Sequence, residues 1–144
     1  MAKTTQRGAT EAGADPSGSG PTVLSIEEGA ERFLSENPAP REIEADWNRW
    51  ATESGKMVWD RPGLSRAQRS MITIAVLSAI GEAGPLRVHV EAGLANGLTR
   101  AEIAETIMHT AVYGGVPRAL GGMSAARAVF DRLDAEGGGS AAKE

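Results

Sequence analysis

The sequence predicts an all-α protein, specifically a bundle of about six helices. Three times a Ser or Thr precedes a Glu or Gln by three residues, at Ser25, Ser65 and Thr99, and this spacing is typical of the first turn of a helix. Apolar side chains recur three and four residues apart, which is the period of a helix. No segment carries a convincing strand pattern, so the elements are expected to pack helix against helix.

The predicted elements follow one another with short breaks. They are helices over residues 25–37, 41–52, 66–80, 85–96, 100–113 and 118–133, with an ordered connector over residues 56–63. Pro38 and Pro40 stop the first helix because proline has no amide hydrogen to donate. Gly55 is expected to end the second helix, and the aromatic, proline-containing connector follows it.

The helices of the second half carry further signals. The apolar stretch over residues 71–77 fits a buried strand by periodicity alone, but the cap before it, its length and its alanines favour a buried helix. Pro85 suits the first turn of the next helix, and Gly97 suits the position directly after that helix ends. The segment 114–117, Gly-Gly-Val-Pro, breaks the chain before the last helix.

Composition predicts one domain between two tails. Residues 1–20 and 137–144 consist mostly of small and charged residues with little to bury, so both segments are expected to be disordered. The domain is expected to span residues 21–136. A core of this size is thin, and domains with thin cores often gain stability by forming oligomers.

Composition also excludes several classes of function. The chain has a net charge of −4 and no basic run, so no nucleic acid partner is expected. No apolar run reaches the roughly 18 residues of a membrane span, and no secretory signal pattern is present. Cysteine is absent, which excludes disulfides, thiol nucleophiles and cysteine-bound zinc. A cytoplasmic location fits these features.

Five segments between Val58 and Phe130 form a specific pattern. They are Val-Trp-Asp-Arg-Pro-Gly-Leu-Ser at 58–65, Arg-Ser-Met-Ile-Thr-Ile-Ala at 69–75, Leu-Arg-Val-His-Val-Glu-Ala-Gly-Leu-Ala-Asn-Gly-Leu-Thr at 86–99, Glu-Ile-Ala-Glu at 102–105 and Ala-Val-Tyr-Gly-Gly-Val-Pro at 111–117. In order and spacing they resemble the carboxymuconolactone decarboxylase family. The resemblance implies an all-helical, alkylhydroperoxidase-like fold, assembly into homo-oligomers (trimers or hexamers) and catalysis without a cofactor. The family's name-giving member decarboxylates a small, unsaturated, carboxylated lactone.

The chain departs from both branches of this superfamily. The peroxidase-like branch uses a Cys-x-x-Cys-x-x-x-His motif, and its two cysteines correspond to Glu82 and Pro85 here. A glutamate of that branch corresponds to Ser70, so its thiol redox activity is excluded. The decarboxylase branch often has a cysteine where this chain has Gly114. Either that cysteine is dispensable, or this chain performs a different reaction.

His89 is the first candidate for a catalytic group. It shares the apolar face of its predicted helix with Leu86 and Val90. A histidine in such a position is often only a packing residue. However, its near-neutral pKa suits proton transfer, and the resemblance favours that role.

Glu105 and His109 are the other candidates for acid and base catalysis. They are four residues apart and therefore share one helix face, which extends to Tyr113. The two form either a solvated ion pair or an acid/base pair that lines a pocket. Two histidines and a carboxylate also suit a metal, but no zinc-type motif accompanies them, so no metal is expected.

Arg66, Arg69, Trp59 and Tyr113 are the candidates for substrate binding. Cations are poorly placed in the first turn of a helix, so one arginine is expected to be held by a structural carboxylate or by a carboxylate of the substrate. Arg69 is the preferred clamp because it falls within the family pattern. Trp59 and Tyr113 either pack in the core or form walls of the pocket.

Three functions are compatible with these features. The first is a cofactor-free lyase that uses acid and base residues on a small unsaturated lactone or carboxylic acid. The second is a dehydratase, isomerase or cyclase of a biosynthetic pathway, with a larger and more apolar substrate. The third is a non-catalytic oligomeric binding protein. The first two predict a small-molecule partner, and the first is preferred.

Overall fold

The computed structural model of this chain describes residues 26–140, and within that range it contains six helices and no strand. The helices are α1 (Ile26–Glu36), α2 (Glu44–Trp59), α3 (Arg66–Ile80), α4 (Ala83–Ala95), α5 (Arg100–Gly114) and α6 (Val116–Ser140). The prediction of an all-α bundle of about six helices is therefore confirmed. The predicted tail over residues 1–20 and the cap at Ser25 lie outside the described residues.

Two of the predicted helix starts have the expected capping geometry. The Ser65 hydroxyl accepts a hydrogen bond from the amide of Gln68, and the Gln68 side chain accepts one from the amide of Ser65. Thr99 and Glu102 make the same reciprocal pair at the start of α5. These bonds satisfy amides that a helix start leaves without intrahelical partners. The bonds between Thr99 and Glu102 also hold the pKa of Glu102 below its ordinary value.

Helices α3 to α6 form a four-helix bundle around one core. Helix α3 packs against α4, α5 and α6, and α5 and α4 also pack against α6. The buried apolar residues of this core are Ile74, Leu86, Val90, Leu98, Ile103, Ile107, Ala119, Ala125, Ala126 and Val129. The buried hydroxyl groups of Ser78 and Thr110 lie 3.1 Å apart and hydrogen bond to each other across α3 and α5.

Helices α1 and α2 form a hairpin beside this bundle. They pack chiefly against each other, and α2 has no buried residue. An ion pair between Arg32 of α1 and Glu91 of α4, at 3.4 Å, joins the hairpin to the bundle. Within residues 26–140, no helix combines the length and the apolar character that a membrane crossing needs.

The predicted end of the second helix was wrong. Helix α2 continues through Gly55 to Trp59, so the connector to α3 is shorter than residues 56–63. A glycine inside a helix costs only about 1 kcal/mol relative to alanine. Packing against α1, including an ion pair between Lys56 and Glu27, favours the longer helix.

The last helix is also longer than predicted. It begins at Val116 and continues to Ser140, beyond the predicted end at Leu133 and into the segment assigned to a tail. Pro117 is tolerated because amides of the first turn need no intrahelical partner. Near the other end, Arg100 of α5 donates two hydrogen bonds to Asp134, which anchors this part of α6 to the bundle.

We expect Gly122→Ala to destabilise the bundle. A Cβ atom at this position would lie 2.6 Å from the Ser78 hydroxyl oxygen and 3.0 Å from a methyl carbon of Ile107. Relieving the overlap disturbs the Ser78–Thr110 hydrogen bond, so the free energy of unfolding should fall by about 1–3 kcal/mol. Urea unfolding followed by circular dichroism measures this change.

Gly121→Ala is the matched control. A Cβ atom there meets nothing within 4 Å. Since alanine is the better helix former, this variant should be as stable as the wild type or more stable by up to about 1 kcal/mol. Equal unfolding free energies for Gly122→Ala and the wild type would contradict the close helix approach described here.

Candidate functional site

The end of α2 brings an aromatic ring onto the middle of α4. Trp59 is the last residue of α2, and its indole stacks on the imidazole of His89. The ring centroids are 6.5 Å apart and the planes differ by 15°, which is near the outer limit of an aromatic stacking contact. Two residues that the sequence singled out separately are therefore neighbours.

His89 is half-buried between this indole and the bundle. Leu86 and Val90 on the same helix are fully buried, as the shared apolar face predicted. The Nδ1 atom of His89 is shielded from solvent and makes no hydrogen bond within the described part of the chain. Burial lowers the pKa of His89 below its ordinary value of 6.5, because the charged form loses hydration. The neutral imidazole is thus favoured at neutral pH, with one ring nitrogen as donor and the other as acceptor.

Arg69 lies in the opening turns of α3. Its Nη2 atom donates a 2.8 Å hydrogen bond to the backbone carbonyl of Arg61, in the connector between α2 and α3. Its Nε atom is shielded from solvent and has no hydrogen-bond partner among residues 26–140. The guanidinium is therefore anchored on one side while a buried donor remains available. Such a group suits a carboxylate, which accepts two parallel hydrogen bonds from arginine.

The connector links Arg69 to the stacked rings. Arg61, whose carbonyl holds Arg69, follows Trp59 by only two residues, so about 7 Å at most separates their Cα atoms. Three of the predicted site residues, Trp59, Arg69 and His89, therefore belong to one region where α2, α3 and α4 meet. This region is the candidate functional site.

Arg66 has a different environment from Arg69. It lies 3.7 Å from the carboxylate of Asp60, and both side chains are substantially exposed. Asp60 is thus the structural carboxylate that was expected beside one of the two arginines. Arg66 therefore lies at the exposed edge of the connector, with Asp60 as its acidic neighbour.

Glu105, His109 and Tyr113 lie on the exposed side of α5. The rings of His109 and Tyr113 are 5.2 Å apart and tilted by 48°, and Tyr113 is 79% exposed. Within residues 26–140 none of the three has a described contact with Trp59, Arg69 or His89. The structure therefore brings His109 and Tyr113 together on a surface of their own.

Two features that position the site could not be read from residue type. One is the carbonyl of Arg61, since a backbone acceptor leaves no signal in residue type. The other is a 2.9 Å hydrogen bond from the Asn96 side chain to the buried hydroxyl of Ser70, which fixes α4 against α3 next to Arg69. The available signal was Ser70 itself, a small polar residue directly before the apolar stretch over residues 71–77.

Metal-ligating side chains do not cluster in the described part of the chain. No three His, Asp or Glu side chains come together there in a way that could hold a metal ion. The candidate site instead contains the imidazole of His89 and the guanidinium of Arg69, and both groups can donate hydrogen bonds to an anionic organic ligand.

Comparison with known proteins places the chain in a family. A family model described as the carboxymuconolactone decarboxylase family matches residues 46–128, which include every predicted site residue. A 4-carboxymuconolactone decarboxylase of Acinetobacter baylyi is 46% identical over 76 residues, which cover 53% of this chain and 57% of that protein. A nitrosuccinic acid decarboxylase of Metarhizium robertsii is 38% identical over 85 residues, covering 58% of this chain and 54% of that protein.

A third relative has no activity in its name. It is an uncharacterized 15.0 kDa protein of Paracoccus denitrificans, 36% identical over 80 residues, which cover 54% of this chain and 60% of that protein. The chain thus matches a little over half of the length of each of these curated relatives. The family model covers more than half of the chain, and the fold is the all-helical one that the resemblance implied. The chain belongs to the carboxymuconolactone decarboxylase family.

Proposed function

We propose that this chain is a cofactor-free carboxy-lyase for a small organic acid. In this proposal Arg69 binds a carboxylate of the substrate, Trp59 covers the reacting carbon, and His89 supplies the proton that replaces carbon dioxide. Names of relatives support an enzyme of the decarboxylase kind. The assignment of residues to steps rests on the geometry of the candidate site.

One observation carries the proposal. The Nδ1 atom of His89 and the Nε atom of Arg69 are both shielded from solvent and have no hydrogen-bond partner in the described chain. A buried polar atom without a partner costs about 1–3 kcal/mol, so proteins rarely keep such atoms unless a ligand or water satisfies them. Two of them, on residues linked through the Trp59–Arg61 segment, support the binding of an anionic substrate there.

The two named relatives indicate a common substrate chemistry. One acts on 4-carboxymuconolactone and the other on nitrosuccinic acid. In each of these acids, a departing carboxylate leaves an electron pair that an unsaturated lactone or a nitro group can take up. We therefore assign this chain a substrate with a carboxylate next to such an electron-accepting group.

The reaction then needs little from the protein. The bond between the carboxylate carbon and its neighbour breaks, its electron pair moves into the acceptor group, and carbon dioxide leaves. A proton from the imidazolium form of His89 then adds to the carbon, and solvent restores that proton. Preorganised donors near the developing charge commonly contribute most of the rate enhancement in such catalysis, at a few kcal/mol per donor.

Substrate binding itself favours the required protonation state. Burial disfavours the imidazolium of His89 in the free protein. A bound anion next to the ring favours the charged form again, because opposite charges attract strongly where water is excluded. His89 should therefore take up a proton together with the substrate. No step in this scheme is assigned to Glu105, His109 or Tyr113.

A second reaction class uses the same groups. A neutral buried imidazole is also the form needed by a general base, which would serve a dehydratase, isomerase or cyclase. The two reactions differ in whether carbon dioxide is released. They also differ in the arginine, since only decarboxylation of a bound carboxylate needs Arg69 near the reacting carbon.

We expect the wild type to release carbon dioxide from 4-carboxymuconolactone or nitrosuccinate. His89→Gln should lower kcat by about 10²-fold or more, because general acids typically contribute 10²–10⁴-fold. Arg69→Gln should mainly raise KM, since it removes a substrate contact. Headspace carbon dioxide and product formation by mass spectrometry measure both rates.

The control for Arg69→Gln is Arg127→Gln. Arg127 lies on the exposed side of α6 and pairs only loosely with Asp131, at 3.6 Å. Its replacement should leave kcat and KM unchanged.

Turnover of either acid without carbon dioxide release would favour the dehydratase, isomerase or cyclase class. Full activity of His89→Gln, with native circular dichroism, would disprove the role proposed for His89.

The lowered pKa of His89 predicts a pH dependence of stability. Because the folded state resists protonation more than the unfolded state does, the contribution of His89 is fully present above its ordinary pKa of 6.5. The free energy of unfolding should fall as the pH decreases below that value toward the lowered pKa. Urea unfolding between about pH 7.5 and pH 5 tests this. His89→Gln should show a weaker slope, and equal slopes would contradict the burial described here.

A further inference from the structure

We propose that Glu91 is a positioning residue, which holds the hairpin of α1 and α2, and with it Trp59, against α4. Glu91 lies on α4 two residues after His89, and its carboxylate contacts arginines from two other helices. Its role is positioning because it acts through Arg32 of α1 and not through the rings of the candidate site.

Two described side-chain contacts join the hairpin to α4. The Trp59 indole at the end of α2 stacks on His89, with the ring centroids 6.5 Å apart, so this contact is a weak attachment. Arg32 of α1 contacts the carboxylate of Glu91, with 3.4 Å between Nη1 and Oε1. Residues two apart do not face the same side of a helix, so the hairpin reaches α4 from two directions.

An ion pair inside the hairpin couples α1 to the end of α2. Lys56 of α2 pairs with Glu27 of α1. Lys56 precedes Trp59 by three residues, so about one helical turn separates this ion pair from the indole. Glu27 lies on the same helix as Arg32. The contacts therefore form a closed path, which starts at Glu91, runs through α1 and α2, and returns to α4.

Helix α6 fixes the second oxygen of the Glu91 carboxylate. The Nη2 atom of Arg132 donates a 2.7 Å hydrogen bond to Oε2 of Glu91. The Nη1 atom of Arg132 donates a 2.8 Å hydrogen bond to Glu136, so this arginine is held by two carboxylates. Bonds between charged groups at such distances are among the stronger hydrogen bonds. The bundle therefore orients Glu91 and leaves Oε1 for Arg32.

The charge of Glu91 keeps two like charges together. Arg32 on α1 and Arg132 on α6 each contact one of its oxygens. Without the negative charge, the two guanidinium groups would repel each other, and the repulsion would move the hairpin away from the bundle. Isolated exposed ion pairs contribute little to stability, but networks of several charges contribute more. A neutral side chain at position 91 should therefore loosen the hairpin.

A looser hairpin changes the surroundings of His89. Helix α2 has no buried residue that would keep Trp59 in place. Water would then reach the imidazole and weaken its attraction to a bound anion, because a higher dielectric constant reduces the interaction between charges. This consequence rests on the proposed function, in which Trp59 covers the reacting carbon, whereas the positioning of Trp59 by Glu91 does not.

Acrylamide quenching of Trp59 fluorescence tests the proposal. The chain has three tryptophans, so replacing Trp47 and Trp50 with phenylalanine leaves Trp59 as the one emitting indole. Both replaced residues are exposed and stack on each other. In this parent protein, Glu91→Gln should raise the Stern–Volmer constant about twofold or more, a factor within the range of exposed ion pairs. Equal constants for the parent and Glu91→Gln would overturn the proposal.

Asp134→Asn is the matched control. Asp134 of α6 accepts hydrogen bonds of 2.6 and 2.9 Å from Arg100 of α5, and both side chains are partly exposed. This ion pair does not involve the hairpin, so its loss should leave the quenching of Trp59 unchanged. A modest loss of stability exposes no indole in the absence of denaturant, because the folded state still dominates. An increase equal to that of Glu91→Gln would assign the effect to stability and overturn the proposal.

Salt provides a second measurement, which needs no substitution at position 91. The side chains of Arg32, Glu91 and Arg132 are between 30% and 52% exposed, so ions can screen them. Raising sodium chloride from about 0.1 M to 1 M shortens the screening length from about 10 Å to 3 Å. Quenching of the parent by uncharged acrylamide should therefore increase, and quenching of Glu91→Gln should increase less. A parent that does not respond to salt would overturn the proposal, even if Glu91→Gln fails to fold.

Activity separates this inference from the proposed function. Glu91→Gln should lower kcat for carbon dioxide release about twofold or more, in line with its effect on Trp59, and Asp134→Asn should not. Quenching is measured without substrate, so it decides the role of Glu91 even in a protein that releases no carbon dioxide. Increased quenching with an unchanged kcat would support the positioning by Glu91 and overturn the role of Trp59 as a cover.

Discussion

The structure depends on how closely the other helices can approach α3. Small residues set these distances: Gly114 packs onto Ala79, and Gly122 packs onto the hydroxyl of Ser78. Gly93 of α4 likewise leaves room for the side chain of Ile74, 3.1 Å from where a Cβ atom would lie. Interiors packed at this density tolerate little added volume. The same approach holds α3, which carries Arg69, against α4, which carries His89.

The sequence predicted where helices begin better than where they end. The starts of α3 and α5 depend on local bonds between residues three apart, at Ser65 and Thr99, so a pattern in sequence contains all the information. The ends of α2 and α6 depend on tertiary contacts instead. An ion pair between Lys56 and α1 and the bond from Arg100 to α6 join residues far apart in the chain, and no local pattern predicts such pairs.

The candidate site was predicted in part for the same reason. Residue type identified His89, Trp59 and Arg69, but their proximity depends on the path of the connector and on the carbonyl of Arg61. Helical spacing placed His109 and Tyr113 on one face, and the structure confirms that they are adjacent. Spacing alone could not decide whether that face lines a pocket or points to solvent, because the direction of a helix face depends on how the other helices pack around it.

Helix α2 contacts the candidate site but does not contribute to the buried core. Helix α2 supplies the aromatic cover of the site through Trp59, yet it contributes no buried residue. Substitutions along α2 can therefore alter the surroundings of His89 while the core of α3 to α6 keeps its packing. Mutations in the α1–α2 hairpin can therefore change what lies next to the candidate site without disturbing the core of α3 to α6. Such mutations need little stability in reserve, whereas mutations in the core would need more.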